Sequence, residues 1–340
     1  MVADSGRAYA FATQLIRSDP AAFELAETLD DDDRAALASL VRDWLRGARA
    51  GNHARLLSFI AHDSWPEIAT IAASLAEDSE SRVRGIAVLD EAALQAPHAL
   101  APHLAALSEK IEPQRLRSWE RECSTPRLAT HHLAFARDER PYRSPHPTQG
   151  PPAPASPTLR FGGTSDGVCG LCHERLRHLI TLEPDRGPVV MGRIELATCL
   201  SCLGWEQPHG DYALSFRHDA NGAPTAIERI AHPLTPQFPA PPLRELRVVP
   251  FDAGARFWAQ RWGGVDRNQN LNRLGGRATW IQGEEQRRCA ACVLPMHFLL
   301  KLDSGLPQGD KGGFDWGSGG VLFVLWCGSC AITTMFWQCT

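Results

Sequence analysis

Eight of the ten cysteines in this chain fall into four C-x-x-C pairs: Cys169/Cys172, Cys199/Cys202, Cys289/Cys292 and Cys327/Cys330. Thiols at that spacing support metal ligation, dithiol–disulfide exchange or, where a histidine follows as in Cys169-Gly-Leu-Cys-His173, covalent haem attachment. Four pairs grouped as two sets of two fit two four-thiolate zinc sites better than separate redox dithiols or disulfides. Haem is the weakest reading, because the position matching His173 in the second set is Val293 and the histidine is therefore not part of the shared pattern. His173 and His178 are expected at the surface or behind the ligands, not among them. A closed four-thiolate site keeps no coordination position for water or substrate, so zinc held in this way braces a fold and activates no nucleophile. Cys123 and Cys339 have no C-x-x-C partner and are expected to be ordinary small buried residues.

The elements that must position these thiols read as a duplication. Cys172 is followed by Arg177-His-Leu-Ile-Thr-Leu-Glu183 and Cys292 by Met296-His-Phe-Leu-Leu-Lys-Leu-Asp303, with Leu182 and Leu302 each ten residues beyond their cysteine. Before the second pairs, Gly192-Arg-Ile-Glu-Leu-Ala-Thr-Cys199 aligns with Gly320-Val-Leu-Phe-Val-Leu-Trp-Cys327. Each unit, about 165–205 and 285–340, reads knuckle, strand, variable loop, strand, knuckle. Antiparallel pairing of the two strands would bring the cysteine ends together, as in a zinc ribbon.

At 340 residues the chain is long enough for two domains, and 44% hydrophobic with 22% charged residues is an ordinary globular composition. Residues 1–112 carry helical periodicity: Leu37, Leu40, Val41, Trp44 and Leu45 recur behind the acidic start Asp30–Asp33, which suits a helix N-terminus. Ile68, Ile71, Ala72 and Leu75 repeat the spacing, as do Leu100, Leu104, Leu107 and Ile111. The run Trp65–Leu89 resembles a HEAT-type helix pair, a unit whose stacked copies offer binding surfaces. Prolines crowd residues 113–158, which read as a linker before a C-terminal domain over 159–340, and a second proline-rich break runs from Pro233 to Pro242. The expected class is α+β: helices first, then antiparallel sheet with two zinc-ribbon modules.

The net charge of −4 gives no general attraction to nucleic acid or an anionic membrane. Only Lys110, Lys301 and Lys311 are lysines, so arginine richness reflects coding bias more than phosphate binding. The N-terminus lacks a basic stretch followed by an apolar one, and no apolar run reaches about 20 residues, so a cytoplasmic protein without a membrane span is expected. Arg244, Arg247, Arg256, Arg261, Arg267, Arg273, Arg277, Arg287 and Arg288 could form a nucleic-acid surface with interleaved aromatics, but Glu245, Asp252, Asp266, Glu284 and Glu285 offset them. The glycine-rich stretch Gly309–Gly320 lacks the Lys-Ser/Thr of a phosphate loop and precedes a strand, so it reads as an irregular connection beside Asp303, Ser304 and Asp315. No partnered base accompanies them, and no catalytic site is expected. Trp258, Trp262, Trp280, Trp316, Trp326 and Trp337 read as core or as anchors for a partner.

Five short motifs in order, Leu274-Gly-Gly, Trp280-Ile-Gln282, Phe298–Ser304, Trp316-Gly-Ser-Gly-Gly-Val-Leu-Phe323 and Phe336-Trp-Gln-Cys339, resemble the YwqG-like family of bacterial proteins. The resemblance covers residues 245–340, with Ala278 where that family usually has proline. It implies an α+β domain on antiparallel sheets and, from relatives encoded near bacterial polymorphic toxins, an immunity role. The expected activity is therefore protein binding, with a cognate toxin as partner and zinc as structural cofactor. A zinc-ribbon nucleic-acid binder or regulator is the alternative.

Overall fold

The computed structural model describes residues 6–17, 25, 29–47, 53–124, 131–135, 159–184, 192–204, 213–236, 240–252, 272–278, 280–308 and 312–339. They divide into a helical unit up to Ser124 and a sheet unit from His131 onward.

In the helical unit, α1 (Gly6–Ile16) precedes α2 (Asp31–Leu45). The Asp30 carboxylate accepts from the Asp33 amide at 2.9 Å, and the Asp33 carboxylate accepts from the Asp30 amide. This reciprocal cap satisfies two orphan donors where the acidic run also suits the helix dipole. The face that follows, Leu37, Leu40, Val41, Trp44 and Leu45, is buried as its spacing predicts. Helices α3 (Trp65–Glu77) and α4 (Arg82–Gln95) pack at unusually close range. A β-carbon on Gly85 would stand 2.5 Å from the Ala72 carbonyl oxygen and 2.6 Å from the Ala76 nitrogen. Only glycine facing alanines permits that approach. Two helical turns, Pro97–Leu100 and Leu104–Leu107, lead to α5 (Pro113–Ser124).

Helix α5 corrects the reading of 113–158 as a linker. Its polar sequence carries one apolar stripe, Leu116, Trp119 and Cys123, packed on the helical core, and the Trp119 indole donates to Asp90 at 2.9 Å. Pro113 stands in the first turn, where a missing N–H costs nothing. Residues 131–135 are also ordered, as a sheet strand. Residues 136–158 lie outside the described residues.

The sheet unit contains β1 (His131–Phe135), β2 (Leu159–Val168), β3 (Arg175–Leu182), β4 (Ile194–Thr198), helix α6 (Leu200–Gly204), β5 (Leu214–His218) and β6 (Pro224–Ala226). After these come β7 (Leu243–Asp252), β8 (Arg273–Leu274), β9 (His297–Asp303), β10 (Leu306–Gln308), β11 (Gly312–Phe314), β12 (Val321–Cys327) and β13 (Ile332–Gln338). All pairings are antiparallel, in the order β4-β3-β2-β7-β1-β8-β9-β12-β13-β5-β6, with β10 joining β7 and β11. β5 follows the first cysteine unit in sequence yet pairs with β13 of the second, Ile332 opposite Arg217. The Gly309–Gly320 connection is more regular than expected, since β11 forms a hairpin with β10. Its return is pinned by Ser304, whose hydroxyl donates to Gly320 O at 2.6 Å and accepts from the Trp316 amide at 2.9 Å.

Two buried histidines stabilise this sheet in matching ways. His178 Nδ1 lies 2.9 Å from Gly162 O and its Nε2 2.8 Å from Thr181 Oγ1; His218 Nδ1 lies 3.1 Å from Gly222 O and its Nε2 2.9 Å from Thr333 Oγ1. A carbonyl can only accept, so each Nδ1 carries the proton and each Nε2 accepts from the threonine hydroxyl. Burial holds both imidazoles below the ordinary value of 6.5, against the weaker pull of nearby carboxylates and carbonyls. Protonation therefore favours the unfolded chain. Their contribution is full above about pH 6.5 and is lost as pH falls below it, at up to about 1.4 kcal/mol per pH unit for each ring. Denaturant titrations at pH 7.5 and 5.5 should show a steeper fall for the natural chain than for His178→Gln/His218→Gln.

Candidate metal centres

The β3–β4 and β9–β12 pairs do what the duplicated pattern requires. Arg177 faces Thr198 and His297 faces Trp326, so each pair delivers its two C-x-x-C turns to one end. All eight predicted ligands are brought together, as Cys169, Cys172, Cys199 and Cys202 in one quartet and Cys289, Cys292, Cys327 and Cys330 in the other. The sulfurs of each quartet lie within 4.8 Å of one another. Cys172 and Cys199 Sγ are 3.5 Å apart and Cys292 and Cys327 Sγ 3.7 Å. A tetrahedral ion with bonds of about 2.3 Å spaces its sulfurs about 3.8 Å apart. All ten cysteines are free thiols. The donor set and its spacing fit one metal ion per quartet.

The first turns of the two units share one backbone. Cys169 N donates to Glu174 O and Cys289 N to Leu294 O, each at 2.9 Å. His173 N donates back to Cys169 O, as Val293 N does to Cys289 O. Leu171 N and Ala291 N point at the first sulfur at 3.4 Å. Val168 pairs with Arg175 and Arg288 with Pro295 to close the turns. His173 and Val293, matched by sequence, both take a left-handed backbone, φ 60° and 61°. The second turns diverge. Cys327–Cys330 forms the β12–β13 bend with Ala331 left-handed at φ 52°, whereas Cys199–Cys202 opens α6, with Leu203 N donating to Cys199 O at 2.9 Å.

Val293 is a β-branched residue in a conformation such residues rarely adopt, and it is 62% exposed, so little packing offsets the strain. Val293→Asn, which tolerates this conformation, should raise stability by about 1 kcal/mol in a denaturant titration.

Crowding sets the thiols of each quartet against one another. Hydrogen bonds from Cys172, Cys199 and Cys202 pull the Cys169 thiol far below its ordinary 9.0, and contacts with Cys169 and Cys172 push Cys199 and Cys202 far above it. In the second quartet Cys330 is pushed up to about 12, first by Cys292. Four thiolates at this spacing repel unless a cation sits among them, and a divalent ion turns all four into ligands.

His173 is exposed, with Nε2 3.2 Å from Ile230 O, and His178 is buried and engaged elsewhere; neither joins a quartet. Cys123 and Cys339 are half-buried, not buried as expected, and the Cys123 thiol donates to Pro97 O. Asp303 is buried beside Asn272, whose side chain accepts from its amide, while Asp315 is exposed. Of the arginines weighed as a nucleic-acid surface, Arg273 is fully buried over the Phe298 ring and Arg287 lies over Phe336, while Arg247 and Arg288 are exposed. Arg256, Arg261, Arg267, Trp258 and Trp262 lie outside the described residues. Trp316 and Trp326 are core.

The five late motifs serve the sheet. Gln338 Oε1 accepts from the amides of Ile281 and Gln282, its amide group donates to Gly283 O, and Trp280 stacks on Phe323 and Phe336. What sequence reasoning missed is the cover over the first quartet. Ile230 N donates to Gly170 O and Leu234 N to Leu171 O, laying the segment after β6 across that turn. No family model, curated protein or solved structure matches the chain. Among the described residues no helix is long and apolar enough to cross a membrane.

Proposed function

We propose that this chain is a cytoplasmic protein-binding module whose sheet unit is braced by two structural zinc ions held in zinc-ribbon turns. The observation that carries the zinc reading is the convergence of four sulfurs at tetrahedral spacing at the ends of two equivalent strand pairs. Cys169, Cys172, Cys199 and Cys202 would hold one ion and Cys289, Cys292, Cys327 and Cys330 the other. Zinc so bound supplies a four-point cross-link and no reacting centre. The partner proposed is a bacterial toxin that the chain neutralises. The YwqG-like resemblance and the HEAT-like pairing of α3 with α4 support it.

Metal analysis of the chain purified under reducing conditions should give two zinc per molecule; a haem or iron spectrum, or no metal, would overturn the zinc reading. For the partner, a tagged chain should recover one protein stoichiometrically from native cells, and the purified chain should abolish that protein's toxicity on mixing. Recovery of nucleic acid alone, lost as salt is raised, would replace this reading with the nucleic-acid one.

A further inference from the structure

The two quartets share a ligand set but not an environment. In the first, all four cysteines are buried, Gly170 and Leu171 between the first pair are buried too, and Ile230 and Leu234 bond across them. In the second, Cys289 and Cys327 are buried, while Cys292 and Cys330 are partly exposed. Ala290, Ala291, Gly328 and Ser329, the residues between its cysteines, are all exposed, as are Val293 and Leu294. The local core beneath it is small: Cys289, Cys327 and Ile332 with Ile227 and Met296 at its edge. The first quartet instead belongs to the main core of the sheet unit.

We propose that the second quartet is a peroxide-sensitive zinc site, which releases its metal by forming a disulfide while the first keeps its ion. The inference rests on the zinc reading above and adds the regulation of one of its two centres. Access selects the sulfurs, because zinc-bound thiolates are nucleophilic and an oxidant reaches those that solvent reaches. The sulfur of Cys292 or Cys330 attacks one oxygen of hydrogen peroxide, the O–O bond breaks, and a sulfenic acid forms as hydroxide leaves. A second thiolate of the quartet, within 4.8 Å, attacks that sulfur; an S–S bond forms, the S–O bond breaks and a second hydroxide leaves. Two protons from solvent convert the hydroxides to water. Two electrons have passed from two thiolates to the peroxide, and an ion stripped of two ligands departs. The change would reach β5, since Arg217 donates to Cys330 O and His218 N to Ala331 O at 2.8 Å.

The test is zinc release from the full chain, loaded with two zinc and treated with hydrogen peroxide, followed with a chromogenic chelator and by peptide mass mapping. One zinc should leave at least about tenfold faster than the other. The early disulfide should lie within Cys289, Cys292, Cys327 and Cys330, and thiol reductant with zinc should restore both ions. Release of both ions at one rate, or an early disulfide among Cys169, Cys172, Cys199 and Cys202, would overturn the switch. Metal content before oxidation tests the other layer: a chain that never holds two zinc ions defeats the zinc reading itself.

Discussion

Cys199→Ser is expected to leave one zinc per chain and to cost the sheet unit at least about 4 kcal/mol, whereas Cys330→Ser also leaves one zinc but costs about 1–2 kcal/mol. The chemistry of the two changes is the same, so the difference comes from where each ligand sits. Cys199 directly follows β4, is 2% exposed, and its sulfur accepts from the Cys202 amide. Leu200 and Leu203 on one side and Leu171 on the other share its core with Phe161, Leu196 and Phe216. On the zinc reading, losing that ion would free two turns that carry core leucines, and would leave buried sulfurs and a hydroxyl with no metal to hold them. Cys330 stands at the exposed β12–β13 bend over a core of a few residues, and the two strands remain fully paired from Val321 to Cys327 without it. Guanidinium titrations of both variants, with zinc content measured on the same samples, decide the matter. Equal losses would mean that the quartets brace the fold alike and that burial does not set their weight.

The ligands and the strands that carry them were legible because both signals are local: the knuckle spacing lies within four residues and the strand pattern within eight. The match of His173 with Val293 survives in three dimensions as a shared left-handed turn. Strand β2 was hidden because Gly162 and Gly163, at φ 79° and 91°, break its alternation and shift its register against β7. A β-carbon on Gly162 would come within 2.0 Å of Arg244 O, so the glycine that obscures the strand is what lets it pair. Helix α5 was hidden by composition, since three apolar residues among charges do not stand out from a proline-rich neighbourhood. The β5–β13 pairing joins residues more than a hundred apart, and no local pattern specifies such a partner. The same holds for the segment over the first quartet, whose Pro233 and Pro236 read as a break.

That segment gives the second large effect. Gly170→Ala should destabilise the sheet unit by about 3–5 kcal/mol, combining overpacking with two lost hydrogen bonds. The added β-carbon would stand 1.6 Å from Glu228 O and 2.8 Å from its carbonyl carbon, both main-chain atoms that no rotamer change can move aside. The chain beyond β6 must retreat, taking with it the bonds from Ile230 N to Gly170 O and from Leu234 N to Leu171 O. The second unit supplies the control, because Ala290 already occupies the matching position in an exposed turn. Ala290→Gly should change stability by less than about 1 kcal/mol. A Gly170→Ala chain as stable as the natural one would show that the segment does not rest on the turn. If it is destabilised yet still holds two zinc ions, its response to peroxide separates lid from ligand: with the cover lifted, the first ion should leave nearly as fast as the second. The difference between the two centres would then lie in the main chain laid over one of them, and not in the ligands, which are four cysteine sulfurs in each.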